Sequence, residues 1–121
     1  MILGRVIGRV WATRQDARLG GAKLLVVRPH GVYEPALATR HLVAVDDVDA
    51  GVGDDVVVAL GRPARLAAGG DDSPIDAAIL GVVDRVELDA AASAAPGAAP
   101  GIKRPLPTVT DRALRAREGR A

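Results

Sequence analysis

Apolar and polar residues alternate along the first dozen positions, MILGRVIGRVWA. Ile2, Gly4, Val6, Gly8, Val10 and Ala12 fall on one side of an extended chain, and Leu3, Arg5, Ile7, Arg9 and Trp11 on the other. A period of two predicts a strand. Four more strands follow from apolar runs bounded by Gly, Pro and Asp: AKLLVVRP (22–29), HLVAVD (41–46), DDVVVAL (54–60) and DAAILGVVDRVEL (76–88). RPARLAA (62–68) predicts one short helical turn between the last two. Gly4, Gly8 and Gly81 stand in mid-strand, where a missing side chain signals sharp coiling or a closely approaching neighbour strand. The run contains no helix long enough to cover an open sheet. The fold expected is therefore all-β, a small five-stranded OB-like barrel.

Composition bounds the organisation. The chain has 121 residues, which suits one domain or a small domain with a tail. AAASAAPGAAPG (90–101) is low in complexity and reads as a flexible linker. The expected division is a barrel over 1–89, this linker, and a basic tail over 102–121 that is disordered or a short helix. In the tail, Thr108 and Asp111 form a weak capping box, with arginines around most of the helix that would follow. The body carries ten Lys/Arg against thirteen Asp/Glu, and the tail six against two. The overall charge of +1 thus hides an acidic body and a basic tail.

Trp11 and Tyr33 are the only aromatic residues besides the histidines. A core without phenylalanine must be assembled from Val, Ile, Leu and Ala, and a domain this small gains from oligomerisation. With no cysteine, disulfides and thiolate metal sites are excluded. The apolar runs LLVV and VVVAL are too short to span a bilayer, and the first residues lack a secretory pattern. A soluble, cytoplasmic protein is expected.

The segment VDAGVGDDVVVALGRPAR (48–65) is the most suggestive for chemistry. As a dinucleotide fingerprint it fails, because Val56 stands at the third glycine and the loop enters a strand, not a helix. As an EF-hand it fails, because Gly51 and Val52 occupy the fifth and sixth positions counted from Asp47. A solvated acidic turn remains. His30 and His41 lack zinc-ligand spacing and read as polar surface. Ser73 and Ser93 lie outside any nucleophile elbow. Asp76, Asp84 and Glu87 could be catalytic carboxylates, but Arg65 and Arg85 read as their salt-bridge or interface partners. No catalytic constellation, metal site or cofactor site is expected. The barrel class invites a nucleic-acid-binding alternative, against which stand the acidic body and the lack of stacking aromatics.

Four pieces in order, GRVIGRVWAT, GAKLLVVRP, AVDDVDAGVGDDVVVALGRPAR and SPIDAAILGVVDRVEL, resemble the bacterial microcompartment vertex proteins of the EutN/CcmL family. The resemblance covers residues 1 to 89. It implies a homopentamer of OB-like barrels that occupies the fivefold vertices of a shell tiled by hexameric and pseudohexameric proteins. It implies no enzyme activity and no membrane partner; the basic tail is a candidate contact for encapsulated cargo. By the same resemblance Asp49, Ala50, Gly51, Gly53, Asp54, Gly61 and Arg65 are assembly or pore residues. Three departures stand out. Asp49 replaces a usual Gly, Asp54 a usual Glu, and Arg62-Pro63 a usual Ser-Ser. The opening pieces are more similar to metabolosome than to carboxysome vertex proteins.

Overall fold

Residues that alternate in the sequence place one side chain in two towards a common interior, and five such segments close around it. The computed structural model describes residues 1–37 and 39–93. Its strands are β1 (Ile2–Val10), β2 (Lys23–Pro29), β3 (Leu42–Asp46), β4 (Asp55–Leu60) and β5 (Ala77–Val82), with helix α1 (Arg62–Ala68) between the last two. They form a closed barrel in the order β1-β2-β3-β5-β4. Every pairing is antiparallel except β3 with β5, which meet through only two residue pairs, Val45 with Ala78 and Asp46 with Ile79.

Val6, Leu25, Val27, Val56 and Val58 are completely buried inside the barrel, and Ile2, Ala44, Ala50, Ala77 and Ile79 complete the core. Each larger aliphatic side chain contributes roughly 1.5–3 kcal/mol on burial, most of which the entropy of ordering the chain offsets. A second, smaller contact joins Ala64 of α1 to Ala59 and Ala78. Three alanines let the helix lie close on the outer face of β4 and β5. Pro63 suits the first turn of α1, where its missing N–H costs no hydrogen bond.

The mid-strand glycines act in different ways. A Cβ on Gly4 would lie 2.6 Å from Val27 Cγ1 and 2.9 Å from the Arg28 carbonyl oxygen, so only glycine fits there. Gly8 is not crowded; it follows a bulge, where the register steps from Val6–Val27 to Gly8–Val26 and leaves Ile7 as the extra residue. Gly81 likewise adjoins the irregularity opposite Val57 and Val58. The β1 bulge corrects the simple alternation. Beyond it, Arg9 pairs with the inward-facing Leu25, whereas Gly8 and Val10 pair with Val26 and Leu24 on the outer surface. Gly8 and Val10 therefore leave the face of Val6.

The last strand is shorter than its apolar pattern, ending at Val82 and not Leu88. Met1–Val82 is one compact unit, and Val83 begins a second. In the second, Arg85 pairs with Glu87. The Asp89 carboxylate accepts the Ala92 N–H at 2.8 Å and opens a single helical turn, α2 (Ala90–Ser93). The first four residues of the expected linker are thus helical. Residues 94–101 and the tail, with Thr108 and Asp111, lie outside the described residues. Among the described residues, no helix is long and apolar enough to cross a membrane.

Candidate functional site

The loop between β3 and β4 is built by its own acids. Asp46, at the end of β3, has a fully buried side chain whose carboxylate accepts the N–H of Ala50 at 2.9 Å and of Val48 at 3.2 Å. Asp54 closes the far side, accepting the Gly51 N–H on its side chain at 2.8 Å while its own N–H donates to the Gly51 carbonyl at 3.0 Å. A carboxylate carries up to four acceptor positions and no donor, so it suits a turn rich in otherwise unpaired N–H groups. Gly53 adopts φ +94, a left-handed conformation that favours glycine. Its N–H donates to the Val6 carbonyl at 2.8 Å, and the Val6 N–H donates to the Asp54 carbonyl at 2.9 Å, tying the loop to β1.

Lys23, at the start of β2, locks this turn. Its ammonium donates to the Ala50 carbonyl at 2.6 Å and lies 3.0 Å from Asp46 and 3.7 Å from Asp49. Three acceptors around one nitrogen match the three hydrogens of an ammonium group. Sequence reasoning missed this role. The signal was composition: Lys23 is the only lysine in the first 102 residues of a chain otherwise charged by arginine.

The resemblance-derived residues divide between two places. Asp49, Ala50, Gly51, Gly53 and Asp54 share the loop, whereas Gly61 and Arg65 lie beyond the other end of β4. Six residues of extended chain place those ends about 20 Å apart. Asp49 is the only described non-glycine residue with positive φ, at +60, and its side chain is fully exposed. Ala50 is 1% exposed and belongs to the barrel core. Gly51 has no positive φ, and a Cβ there would meet only Asp54 Oδ2 at 3.8 Å. Gly61, at φ +68, caps α1, and its N–H donates to the Asp76 carbonyl at 2.7 Å. The Arg65 carbonyl accepts the N–H groups of Gly69 and Gly70 at the end of α1. Within Met1–Val82, among the described residues, its guanidinium makes no ion pair, so the expected bridge to Asp76 is not formed.

A second polar cluster sits beside β4. Asp55 accepts Arg5 Nε at 3.2 Å, and its Oδ1 lies 2.7 Å from His30 Nε2. His30, just beyond β2, is therefore a half-buried link to Asp55 of β4 and not the surface residue its sequence context suggested. The Tyr33 ring stands edge-on to it, and burial, with the Asp55 charge adding to it, raises the Tyr33 phenol above its ordinary pKa. Ser73 is also buried, its hydroxyl accepting the Ile75 N–H within a turn. Among the described residues no buried side-chain donor or acceptor is unpaired, and no three ligating side chains gather as a metal site requires.

Comparison with known proteins gives one answer. The family model described as "Ethanolamine utilisation protein EutN/carboxysome" matches residues 1–84. The bacterial microcompartment shell vertex protein GrpN of Rhodospirillum rubrum is 48% identical over 88 residues, covering 72% of this chain and 97% of that protein. The carboxysome shell vertex protein CcmL of Synechocystis is 39% identical over 88 residues, covering 73% and 87%. In structure, the pentameric microcompartment shell protein GrpN from Rhodospirillum rubrum superposes with a TM-score of 0.63 at 42% identity, over 74% of this chain and all of that one.

Proposed function

This chain belongs to the EutN/CcmL family, and on that footing we propose that it is a structural shell protein whose pentamers cap the fivefold vertices of a bacterial microcompartment. The observation that carries this reading is the match of the whole barrel, in sequence and in fold, to a pentameric vertex protein. The function is geometric. A sheet of six-neighbour tiles lies flat, and placing a five-neighbour unit at selected points gives the curvature that closes it. A ring of five needs one heterologous contact repeated until it closes. The role is architectural, and no catalytic step is assigned to any residue. The compartment proposed is a metabolosome, on the similarity of the opening pieces MILGRVIGRV and GAKLLVVRP to vertex proteins of that kind. Hexameric and pseudohexameric shell tiles are its proposed neighbours, and cargo enzymes the proposed contacts of the basic tail.

Within the ring, Asp49, Ala50, Gly51, Gly53 and Asp54 are assigned to the subunit contacts and axial opening, together with Gly61 and Arg65. Support comes from the exposed Asp49 carboxylate and from Val52, 61% exposed at the loop tip. Ala50, being part of the core, offers a neighbour only its backbone. The test is light scattering on the purified full chain. The expected mass is five times the 12.4 kDa of one chain. A single species at one chain mass at micromolar concentration overturns the reading.

A further inference from the structure

A cleft of about 280 Å³ lies in the connection between β1 and β2. Arg9, Trp11 and Gln15 line it from one leg of the connection, and Ala22, Lys23 and Leu24 from the other. Arg9 and Trp11 stand two positions apart at the end of an extended strand, so their side chains leave the same face. Trp11 is 84% exposed, more than the terminal Met1, so its indole packs on almost nothing of its own chain. Among the described residues it meets neither another ring nor a cation. Within Met1–Val82, among the described residues, the Arg9 guanidinium makes no ion pair and the Gln15 amide no hydrogen bond. Lys23 lines the cleft with its stem, while its ammonium is committed to Ala50, Asp46 and Asp49. No Asp or Glu lines the cleft, so its one uncommitted charge is positive.

We infer that this cleft binds a small aromatic carboxylate, its aromatic ring on the indole of Trp11 and its acid group on Arg9. An exposed indole offers a flat apolar face on which a second aromatic ring stacks with an offset. A guanidinium presents a planar fork that takes a carboxylate through two parallel hydrogen bonds. One uncommitted cation matches the single charge of a carboxylate better than the double charge of a phosphate ester. The Gln15 amide carries donors and an acceptor, which suits a polar substituent on the ligand. Ala22 and Leu24 add apolar wall. The volume is at the small end of the range for ligand sites, so it suits one aromatic ring with a short acid arm and not a nucleotide. All of these residues belong to one protomer, so the inference does not rest on the pentamer. The stem of Lys23 also joins the cleft to the β3–β4 loop, so an occupant touches the residue that frames that loop.

Trp11 is the only tryptophan in the chain, so its fluorescence reports on this cleft alone. Titrating the full-length protein with benzoate or phenylacetate at constant ionic strength should shift the emission saturably, with dissociation constants on the order of a millimolar. Benzamide, which lacks the charge, and acetate, which lacks the aromatic ring, should bind at least tenfold more weakly. Arg9→Gln should weaken benzoate binding at least tenfold while the strand signal in circular dichroism is retained. Absence of a saturable response to both acids overturns the inference. Equal responses to benzoate and benzamide overturn it as stacking without charge recognition, and equal responses to benzoate and acetate as a nonspecific anion effect. An Arg9→Gln chain that binds benzoate as the wild type does also overturns it. A wild-type chain that is monomeric yet binds benzoate defeats the pentameric reading and supports this inference, whereas a pentamer without the response defeats this inference alone.

Discussion

Two residues show how backbone space and backbone angle constrain choice differently. At Gly4 the obstacle is a neighbour: any Cβ strikes Val27 and the Arg28 carbonyl, and a carbonyl cannot move aside cheaply. Gly4→Ala should cost about 1–3 kcal/mol by overpacking. Gly8→Ala meets only Val26 at 3.8 Å and should change stability by less than about 1 kcal/mol. Urea denaturation of the two variants side by side tests the contrast. At Asp49 the obstacle is the angle. A left-handed conformation strains most side chains by about 1–2 kcal/mol, and Asp and Asn tolerate it best after Gly. The family's usual glycine at this position thus has a physical reason within one protomer. Asp49→Gly should stabilise the barrel by about 0.5–1 kcal/mol in the same measurement. The contact to Lys23, at 3.7 Å and fully exposed on the Asp49 side, offsets little of that gain.

The β3–β4 loop behaves as a unit because its hydrogen bonds converge on buried Asp46 and on Lys23. Removing one partner strands the other. Lys23→Met should cost about 2–4 kcal/mol, less than for a fully buried pair because Lys23 is one-third exposed. Restoring the methionine's shape does not restore the donor to Ala50, so the loop amides should exchange hydrogen faster in this variant. Gly51 is different, since its backbone angle suits any residue and its surroundings are open. Gly51→Val should leave barrel unfolding within about 1 kcal/mol of wild type, yet weaken the pentamer if the loop meets a neighbour. Light scattering alongside urea denaturation separates the two effects, and a fully pentameric Gly51→Val argues against that placement.

For the whole molecule, the balance lies between a thin core and the surface left outside it. The barrel buries valines and alanines and no aromatic ring, while Trp11, Val43, Val52, Leu66 and Leu80 remain exposed. An assembly that binds only folded chains adds stability by mass action. The midpoint of thermal unfolding should therefore rise with protein concentration, and calorimetry over a hundredfold concentration range measures it. A midpoint independent of concentration would indicate that the barrel's stability is its own.

Local patterning in the sequence was enough for five strands, the short helix after β4 and a closed barrel, because inward side chains recur every second residue and glycine marks where strands crowd. It also disqualified the acidic loop as a phosphate or calcium site, since those sites depend on fixed spacing. Pairing between distant residues was not legible. The β1 bulge inverts the face of Gly8 and Val10, and one extra residue leaves no mark in an alternating pattern that already tolerates glycine. His30 looked solitary because its partner Asp55 lies 25 residues away in the sequence and meets it only in the folded barrel. Ala50 looked like a loop residue, but closure turns it into the core. Asp46 and Asp54 read as part of a solvated acidic turn, and with Lys23 they became the frame of the loop, because folding brings three acceptors around one ammonium group and two carboxylates onto unpaired backbone N–H groups.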